Sequence, residues 1–402
     1  MKFEEMQLHP KLIEAISYMG YENATPVQEM AIPLILANKD ILACAQTGTG
    51  KTAAFVLPIL NKLVDTESKK INTLILVPTR ELAVQIEQQI QGISYFINAT
   101  SLALYGGGDG KDWITQKEAL KRGTDIIVAT PGKLRSHIAM GYIDFSSLKH
   151  FVMDEADRML DMGFIDDIKN IMSALPKQKQ TLLFSATMPK EIEKLATEIL
   201  NDHIEIKLAL SKTADGVEQY VYPVYDNQKP KLLIHILSKL SNFESIIVFT
   251  STKSAISPLV QILKQKQFSV AGISSDYSQQ DRESVLEQFK ARQIKILIAT
   301  DVMSRGIDIK ELDMVINYNV PQDAEDYVHR VGRTARANNE GKAITFVNPK
   351  DMHKLAKIEQ LISLEIEKLG LPSEMGEPPK WGEEDNTPKK RHIRKAKWRK
   401  KA

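Results

Sequence analysis

The sequence Ala45-Gln46-Thr47-Gly48-Thr49-Gly50-Lys51-Thr52 is a glycine-rich turn between two segments of regular structure. An apolar run over 40–44 precedes it, and the helix-forming residues 53–57 follow it. A strand, a glycine turn and a helix in this order are typical of a phosphate-binding loop. We therefore predict a nucleotide site, in which backbone N–H groups of the turn and of the helix start surround the phosphates.

The residues of this turn have separate expected roles. Gly48 and Gly50 let the backbone approach phosphate oxygens without a Cβ in the way. Lys51 would reach the β- and γ-phosphates, and the Thr52 hydroxyl would hold Mg²⁺. The remaining expected nucleotide-binding residues of the turn are Thr47 and Thr49. The first position of the usual pattern is glycine, whereas this chain has Ala45 there.

Composition sets limits on the class of protein. A chain of 402 residues with 43% hydrophobic residues is long enough for two domains and a tail, with full cores. The single cysteine, Cys44, excludes a disulfide framework and a cysteine-based zinc site. The sequence has no apolar run near the ~20 residues of a membrane span and no apolar signal core at its start, so we expect a cytoplasmic protein.

The alternation of apolar runs with helical patterns predicts an α/β fold built on parallel sheets with helices on both faces. The strands expected in the first half are 40–45, 73–77, 100–105, 125–129, 149–153, 180–184 and 203–208. The strands expected in the second half are 219–224, 245–250, 268–273, 294–299, 313–318 and 342–347. The predicted units are a nucleotide-binding domain over 1–208, a linker over 209–218, a second domain over 219–370 and a mobile basic tail over 371–402.

A second chemical motif, Phe151-Val152-Met153-Asp154-Glu155-Ala156-Asp157, places carboxylates directly after an apolar strand. Asp154 can hold Mg²⁺, and Glu155 can orient and deprotonate an attacking water. The alternative without a catalytic role is the acidic first turn of a helix that faces solvent. The phosphate loop upstream makes a phosphoryl-transfer site the better interpretation.

These two motifs together resemble the DEAD-box family of ATP-dependent RNA helicases. The resemblance extends from Phe3 to about residue 350 and is closest to bacterial RhlE-type members. It implies two tandem RecA-like domains around an ATP cleft, with hydrolysis of ATP coupled to melting of short RNA duplexes or removal of bound proteins. By analogy, it also suggests partners in ribosome assembly or RNA turnover.

The resemblance implies further nucleotide contacts. Gln28, in the segment 20–28, would pair with the adenine edge, and Phe3 would stack on the base. For Phe3, ordinary packing is almost as good an explanation. Asp308 would accept a hydrogen bond from a ribose hydroxyl.

The segment His329-Arg330-Val331-Gly332-Arg333-Thr334-Ala335-Arg336 has three arginines within seven residues. Their mutual repulsion makes a packed structural role a poor explanation. Arg333 and Arg336 match the arginine fingers that approach the γ-phosphate, and His329 would link them to the acidic motif. Asp157, Ser185 and Thr187 complete the residues expected to couple the ATP state to strand separation.

The family's RNA-binding loops are also matched. The residues that would grip the RNA backbone without reading its sequence are Arg80, Gly107, Thr130, Gly132, Arg282 and Thr300. Lys133 stands where the family usually has arginine, which keeps the charge and loses the bidentate fork. Ser274-Ser275 replace the family's usual His-Gly.

Alternatives stay open at this point. The basic run over 389–401 is either a solvated end or a salt-sensitive RNA tether. A DNA helicase of the same superfamily and a non-catalytic RNA scaffold are rival functions. The intact Lys51, Glu155, Arg333 and Arg336 argue against the scaffold. The Gln28 segment and the Asp-Glu-Ala-Asp sequence belong to the RNA branch.

Overall fold

The structure is a computed structural model. It describes residues 1–45, 48–64, 70–107, 110–208, 217–240, 242–274, 276–300, 312–334 and 341–382. Thr47, Asp308 and Arg336 lie outside the described residues, as do most of the predicted linker and the end of the chain.

The first unit is a seven-stranded parallel sheet between two layers of helices. Its strands are β1 (Ile41–Cys44), β2 (Thr73–Leu76), β3 (Ser101–Leu104), β4 (Ile126–Ala129), β5 (His150–Met153), β6 (Gln180–Ser185) and β7 (Ile204–Lys207). Its helices are α1 (Pro10–Tyr18), α2 (Pro26–Leu36), α3 (Lys51–Leu63), α4 (Arg80–Ile93), α5 (Gly110–Arg122), α6 (Pro131–Ala139), α7 (Ala156–Asp161), α8 (Ile165–Ser173) and α9 (Lys190–Ile199).

Hydrophobic cores lie on both faces of this sheet. Leu182 and Phe184 of β6 belong to the core that contains α3, whereas the intervening Leu183 belongs to the core on the opposite face. Successive side chains of a strand point to opposite faces, so a strand buried on both sides is apolar throughout. This explains why the strands appear in the sequence as uninterrupted apolar runs.

The second unit is another seven-stranded parallel sheet with helices. Its strands are β8 (Val217–Pro223), β9 (Ile246–Phe249), β10 (Val270–Ile273), β11 (Ile296–Ala299), β12 (Met314–Asn317), β13 (Gly341–Val347) and β14 (Glu367–Lys368). Its helices are α10 (Lys229–Lys239), α11 (Ile256–Gln265), α12 (Gln279–Lys290), α13 (Ala324–Val331) and α14 (Met352–Ile362).

The two sheets repeat one strand order. The first runs β3-β4-β2-β5-β6-β1-β7 and the second β10-β11-β9-β12-β13-β8-β14, so corresponding strands occupy corresponding places. The prediction of two parallel α/β sheets is therefore confirmed. In each sheet the carboxyl ends of the parallel strands share one edge, which is where ligands bind in such folds.

Two predicted boundaries differ from the structure. Val217 and Glu218 belong to β8 and not to the linker, because they pair with Gly341 and Lys342 of β13. The predicted start of the tail at 371 is too early. Leu371 and Met375 pack against the core of the second sheet, and the segment stays packed to Gly382, whose N–H lies 3.4 Å from Met352 Sδ.

Among the described residues, no helix is both long enough and apolar enough to span a membrane.

Candidate nucleotide site and interdomain cleft

The phosphate loop connects β1 to α3. Gly48 and Gly50 have φ angles of +88° and +91°, a left-handed conformation that favours glycine. Gly50 is the residue directly before α3, so the first N–H groups of that helix point out of the turn. Unpaired N–H groups at a helix N-terminus are an arrangement that favours an anion.

Lys51 is the first residue of α3 and is only 5% exposed. Its Nζ has no hydrogen-bond partner among the described residues. A buried ammonium group without a partner carries a large desolvation cost, so it normally marks a site that receives an anion. The phosphates of a nucleotide fit this site.

Gln28 joins the phosphate loop to α2. Its Oε1 accepts a hydrogen bond of 2.9 Å from Thr25 N, and its Nε2 donates one of 3.0 Å to Gly50 O. A Cβ built on Gly50 would lie 2.3 Å from that Nε2, so the close approach also requires glycine. The amide keeps a second N–H and a second lone pair, the two groups that an adenine edge would need.

Phe3 lies in the hydrophobic core of the first unit. It is 3% exposed, and its ring stacks on Tyr21 with centroids 6.3 Å apart. A buried ring has no open face for a base. The structure therefore favours the packing role of Phe3 over the base-stacking role that the resemblance implied.

The acidic motif follows β5. Asp154 is 3% exposed, and burial raises the pKa of its carboxyl group to about 6, although the Lys51 ammonium group opposes the rise. Glu155 has a φ of +52°, which is rare outside glycine, and its N–H donates to Asp154 Oδ1 at 2.9 Å. Such strained backbone is typical of functional sites, because the surrounding fold must hold it in place.

The acidic motif is hydrogen-bonded to the segment after β6. Asp157 Oδ2 accepts from both Thr187 N, at 2.9 Å, and Thr187 Oγ1, at 2.8 Å. Ser185 Oγ donates to Thr187 O at 2.7 Å. Three of the four residues that were predicted to couple the ATP state to strand separation, all except His329, thus form one connected network.

A cavity of about 390 Å³ lies between the two units beside this network. Glu155, Asp157 and Thr187 line it from the first unit, and His329 and Arg333 line it from the second. Residues that are far apart in sequence therefore meet across one cleft. Arg333 and the acidic motif thus line the same cavity, each from a different unit.

Arg330 has a role that sequence reasoning missed. It is 3% exposed, and its Nη1 donates to Asn317 Oδ1 at 2.9 Å and to Asn319 O at 3.1 Å. Its guanidinium group lies 4.9 Å from the centroid of the Phe249 ring. Arg330 is thus a packed arginine whose Nη1 donates to an amide oxygen and a backbone oxygen, so the expectation from mutual repulsion that a packed role is a poor explanation was wrong at this position.

Two of the predicted RNA contacts form ion pairs across the units. Arg80, the first residue of α4, pairs with Glu283 of α12, and Arg282 of α12 pairs with Glu81 of α4, each at 2.6 Å. The guanidinium group of Arg80 also lies 4.4 Å from the centroid of the Tyr105 ring. The sequence offered no signal for the partners Glu81 and Glu283, which lie about two hundred residues from their arginines.

The other predicted RNA contacts lie at carboxyl ends of strands. Gly107 follows β3, Thr130 and Gly132 flank the start of α6 after β4, and Thr300 directly follows β11. Thr300 is 8% exposed. These loops place backbone N–H groups and hydroxyls along the strand ends, which suits a sugar-phosphate backbone.

Comparison with known proteins agrees with this geometry. Residues 25–195 match the family model described as DEAD/DEAH box helicase, and residues 228–338 match the helicase conserved C-terminal domain. The chain is 42% identical over 373 residues to the ATP-dependent RNA helicase CshA of Listeria monocytogenes, covering 92% of this chain and 71% of that protein. It is 40% identical over 373 residues to the ATP-dependent RNA helicase DeaD of Mycobacterium tuberculosis, covering 92% and 65%.

A solved structure extends the comparison. Dbp5 of S. cerevisiae bound to RNA and ADP BeF3 superposes with a TM-score of 0.82 at 31% identity, covering 92% of this chain and 95% of that chain.

Proposed function

The chain belongs to the DEAD-box family of ATP-dependent RNA helicases, and we propose that it hydrolyses ATP when RNA closes its two RecA-like domains around the nucleotide. The closure would melt short RNA duplexes or displace proteins bound to RNA. Ribonucleoprotein particles, including those of ribosome assembly and RNA turnover, are the class of substrate to which the proposal extends.

One observation carries this proposal: the same cavity is lined by Glu155 of the first domain and by His329 and Arg333 of the second. Neither domain alone contains both the expected base and the expected arginine finger. An arginine finger supplied across such a cleft typically contributes about 10³–10⁵ in rate. Hydrolysis would therefore depend on closure, and closure would depend on what binds across both domains.

The first domain would bind the substrate ATP. Lys51 would bind the β- and γ-phosphates, Thr52 and Asp154 would hold Mg²⁺, and Gln28 would contact adenine. The bound metal ion would neutralise the charge that develops on the phosphate oxygens. Among the described residues no group of three or more His, Cys, Asp or Glu side chains could hold a metal. This agrees with Mg²⁺ carried mainly by substrate phosphates and water.

The roles of the carboxylates would differ. The raised pKa of Asp154 reflects its burial, and the cationic Lys51 group is the main influence that opposes that rise. Glu155 would accept the proton of the attacking water while Arg333 stabilises charge on the γ-phosphate. A change in the nucleotide at the acidic motif would be transmitted through Asp157 to Thr187, because the two residues share two hydrogen bonds.

RNA would bind across both domains through Arg80, Gly107, Thr130 and Gly132 on one side and Arg282 and Thr300 on the other. Contacts of this kind position a backbone and carry no sequence information. Because ATP and RNA would both favour the closed arrangement, each should raise the affinity for the other.

The substitution Glu155→Gln tests the proposal directly. The amide keeps the size and polarity of the side chain but cannot accept the proton, so ATP binding should persist while RNA-stimulated turnover falls at least a hundredfold. Binding is measured with a fluorescent ATP analogue and turnover by phosphate release. Glu118→Gln, which neutralises a 57% exposed carboxylate on α5, is the matched control and should behave as the parent chain. Undiminished turnover in E155Q would refute the assignment of the base.

A further inference from the structure

An aromatic and cationic cluster joins the first turn of α5 to one face of α6. The Trp113 ring stacks on the His137 ring with centroids 4.0 Å apart and an interplanar angle of 7°. The Lys133 ammonium lies 4.5 Å from the centroid of the same Trp113 ring. Lys133 and His137 are four residues apart on α6, so one helix face supplies both groups that contact the tryptophan.

The position of this cluster connects it to the RNA loops. Trp113 lies in the first turn of α5, shortly after Gly107, and Lys133 directly follows Gly132 in the first turn of α6. The ring therefore bridges the two helices whose N-terminal loops are expected to hold the RNA backbone. N-terminal turns also favour anions through their unpaired N–H groups.

The His137 ring, on which Trp113 stacks, is held in place by its neighbours. His137 is completely buried, its Nε2 lies 3.2 Å from Gln116 Oε1, and its Nδ1 contacts the Tyr142 hydroxyl. Burial and the nearby Lys133 charge lower the pKa of His137 to about 4. The imidazole ring is therefore neutral at physiological pH and does not compete with Lys133 for the electron-rich face of the indole.

Packing alone does not account for Trp113. The ring is half-buried, which is common for a side chain as large as tryptophan, but a lysine ammonium also lies against it, a contact that core packing does not require. A free lysine side chain has a flexible stem of four carbons, and it loses much conformational entropy when its ammonium group is fixed on a phosphate. The contact with Trp113 removes part of that freedom before RNA arrives. Arg80, another predicted RNA contact of the same domain, lies on the Tyr105 ring in a comparable way.

We propose that Trp113 is a positioning residue for RNA, which holds the Lys133 ammonium between the Gly107 and Gly132 loops so that it binds a backbone phosphate. This inference rests on the proposed function, since it assumes that the two loops bind RNA. It assigns a contact to Lys133, whose ammonium group is a point charge without the planar fork of an arginine. Trp113 acts through Lys133 and makes no sequence-specific contact.

Two substitutions at one position separate this role from packing. Trp113→Phe keeps an aromatic face, whereas Trp113→Leu keeps an apolar side chain without one. We expect W113L to weaken binding of a single-stranded RNA in the presence of AMP-PNP by about two- to fivefold, and W113F to lie closer to the parent chain. Fluorescence anisotropy measures the affinity, and thermal unfolding checks that each variant is folded.

A double-mutant cycle with Lys133→Ala supplies the decisive comparison. If Trp113 acts through Lys133, then W113L should add little to K133A, and K133A alone should reduce the salt dependence of RNA binding by about one phosphate contact. If W113L is too unstable, the cycle of Trp113→Met with K133A, which also removes the aromatic face, gives the same test. Tyr95→Ala, which removes an 80% exposed ring at the end of α4, is the control and should leave the affinity unchanged.

The outcomes are distinguishable. Equal RNA affinity of W113L and the parent chain, or full additivity of the two substitutions, would overturn the role of Trp113 while leaving the proposed function intact. A parent chain that shows no RNA-stimulated ATP hydrolysis would instead overturn the proposed function itself.

Discussion

Replacing Glu81 by glutamine should loosen the closed arrangement of the two domains. The Arg282–Glu81 pair has an N···O distance of 2.6 Å, and the side chains are 18% and 17% exposed. The Arg80–Glu283 pair has the same distance, but the Glu283 side chain is 48% exposed. Both pairs connect α4 of the first domain to α12 of the second, so they exist only when those helices face each other.

Because the two ion pairs differ in exposure, the two substitutions should cost different amounts of the free energy of domain closure. Removing one partner of a largely shielded pair leaves the other charge poorly solvated. For Glu81→Gln we therefore expect a loss of about 1–2 kcal/mol, or about five- to thirtyfold in the closed-to-open ratio. For Glu283→Gln, solvent screening reduces the loss to about 0.2–1 kcal/mol, at most about fivefold. The guanidinium groups have five donors each, so a carboxylate and an RNA phosphate can share one arginine.

The assay is the RNA concentration for half-maximal ATP hydrolysis, with ATP saturating, combined with energy transfer between dyes on the two domains. E81Q should need about five- to thirtyfold more RNA, E283Q should need less than that, and E118Q should match the parent chain. In the double variant E81R/R282E the two charges are exchanged, so the ion pair between the domains can form again and closure should be largely restored. The affinity for RNA should recover less, because Arg282 is itself a predicted RNA contact. A lower RNA requirement in E81Q would refute the reasoning, because it would mean that the glutamates compete with RNA for the arginines.

Two further predictions concern pH and the end of the chain. Burial lowers the pKa of His137 and of His150 from 6.5 to about 4, so the unfolded chain binds more protons between those values. The free energy of unfolding should therefore fall as the pH is lowered from about 6.5 to about 4, with Asp154 offsetting part of the fall. Urea unfolding should show a smaller fall in H150Q, and an equal fall would contradict the assignment. Deleting residues 383–402, which follow the packed segment, should weaken RNA binding mainly at low salt. An unchanged RNA affinity at low salt would favour the alternative that the end of the chain is only solvated.

The fold could be predicted from the sequence because buried parallel strands are apolar on both faces. β1 and β5, for example, appear as apolar runs that end directly before the phosphate loop and the carboxylates of the acidic motif. β14 was missed because Glu367–Lys368 is a charged two-residue strand without an apolar pattern. The packing of 371–382 was missed because proline, glycine and charge dominate its composition, while its few apolar residues make the contacts.

The candidate site was predicted in part. Lys51, Asp154 and Glu155 follow strands of one sheet, so the sequence order already places them at one edge. The burial of Phe3 and of Arg330 could not be predicted, because a motif does not reveal whether a side chain points into a core or a cleft. The partners Glu81 and Glu283 depend on how two domains face each other, which no local pattern contains.

RNA bound across both domains should control ATP hydrolysis in this cleft. The most direct measurement compares phosphate release with single-stranded RNA, with DNA of the same sequence and without nucleic acid, at equal salt. We predict strong stimulation by RNA and little by DNA. Equal stimulation by both, or none by RNA, would contradict the claim.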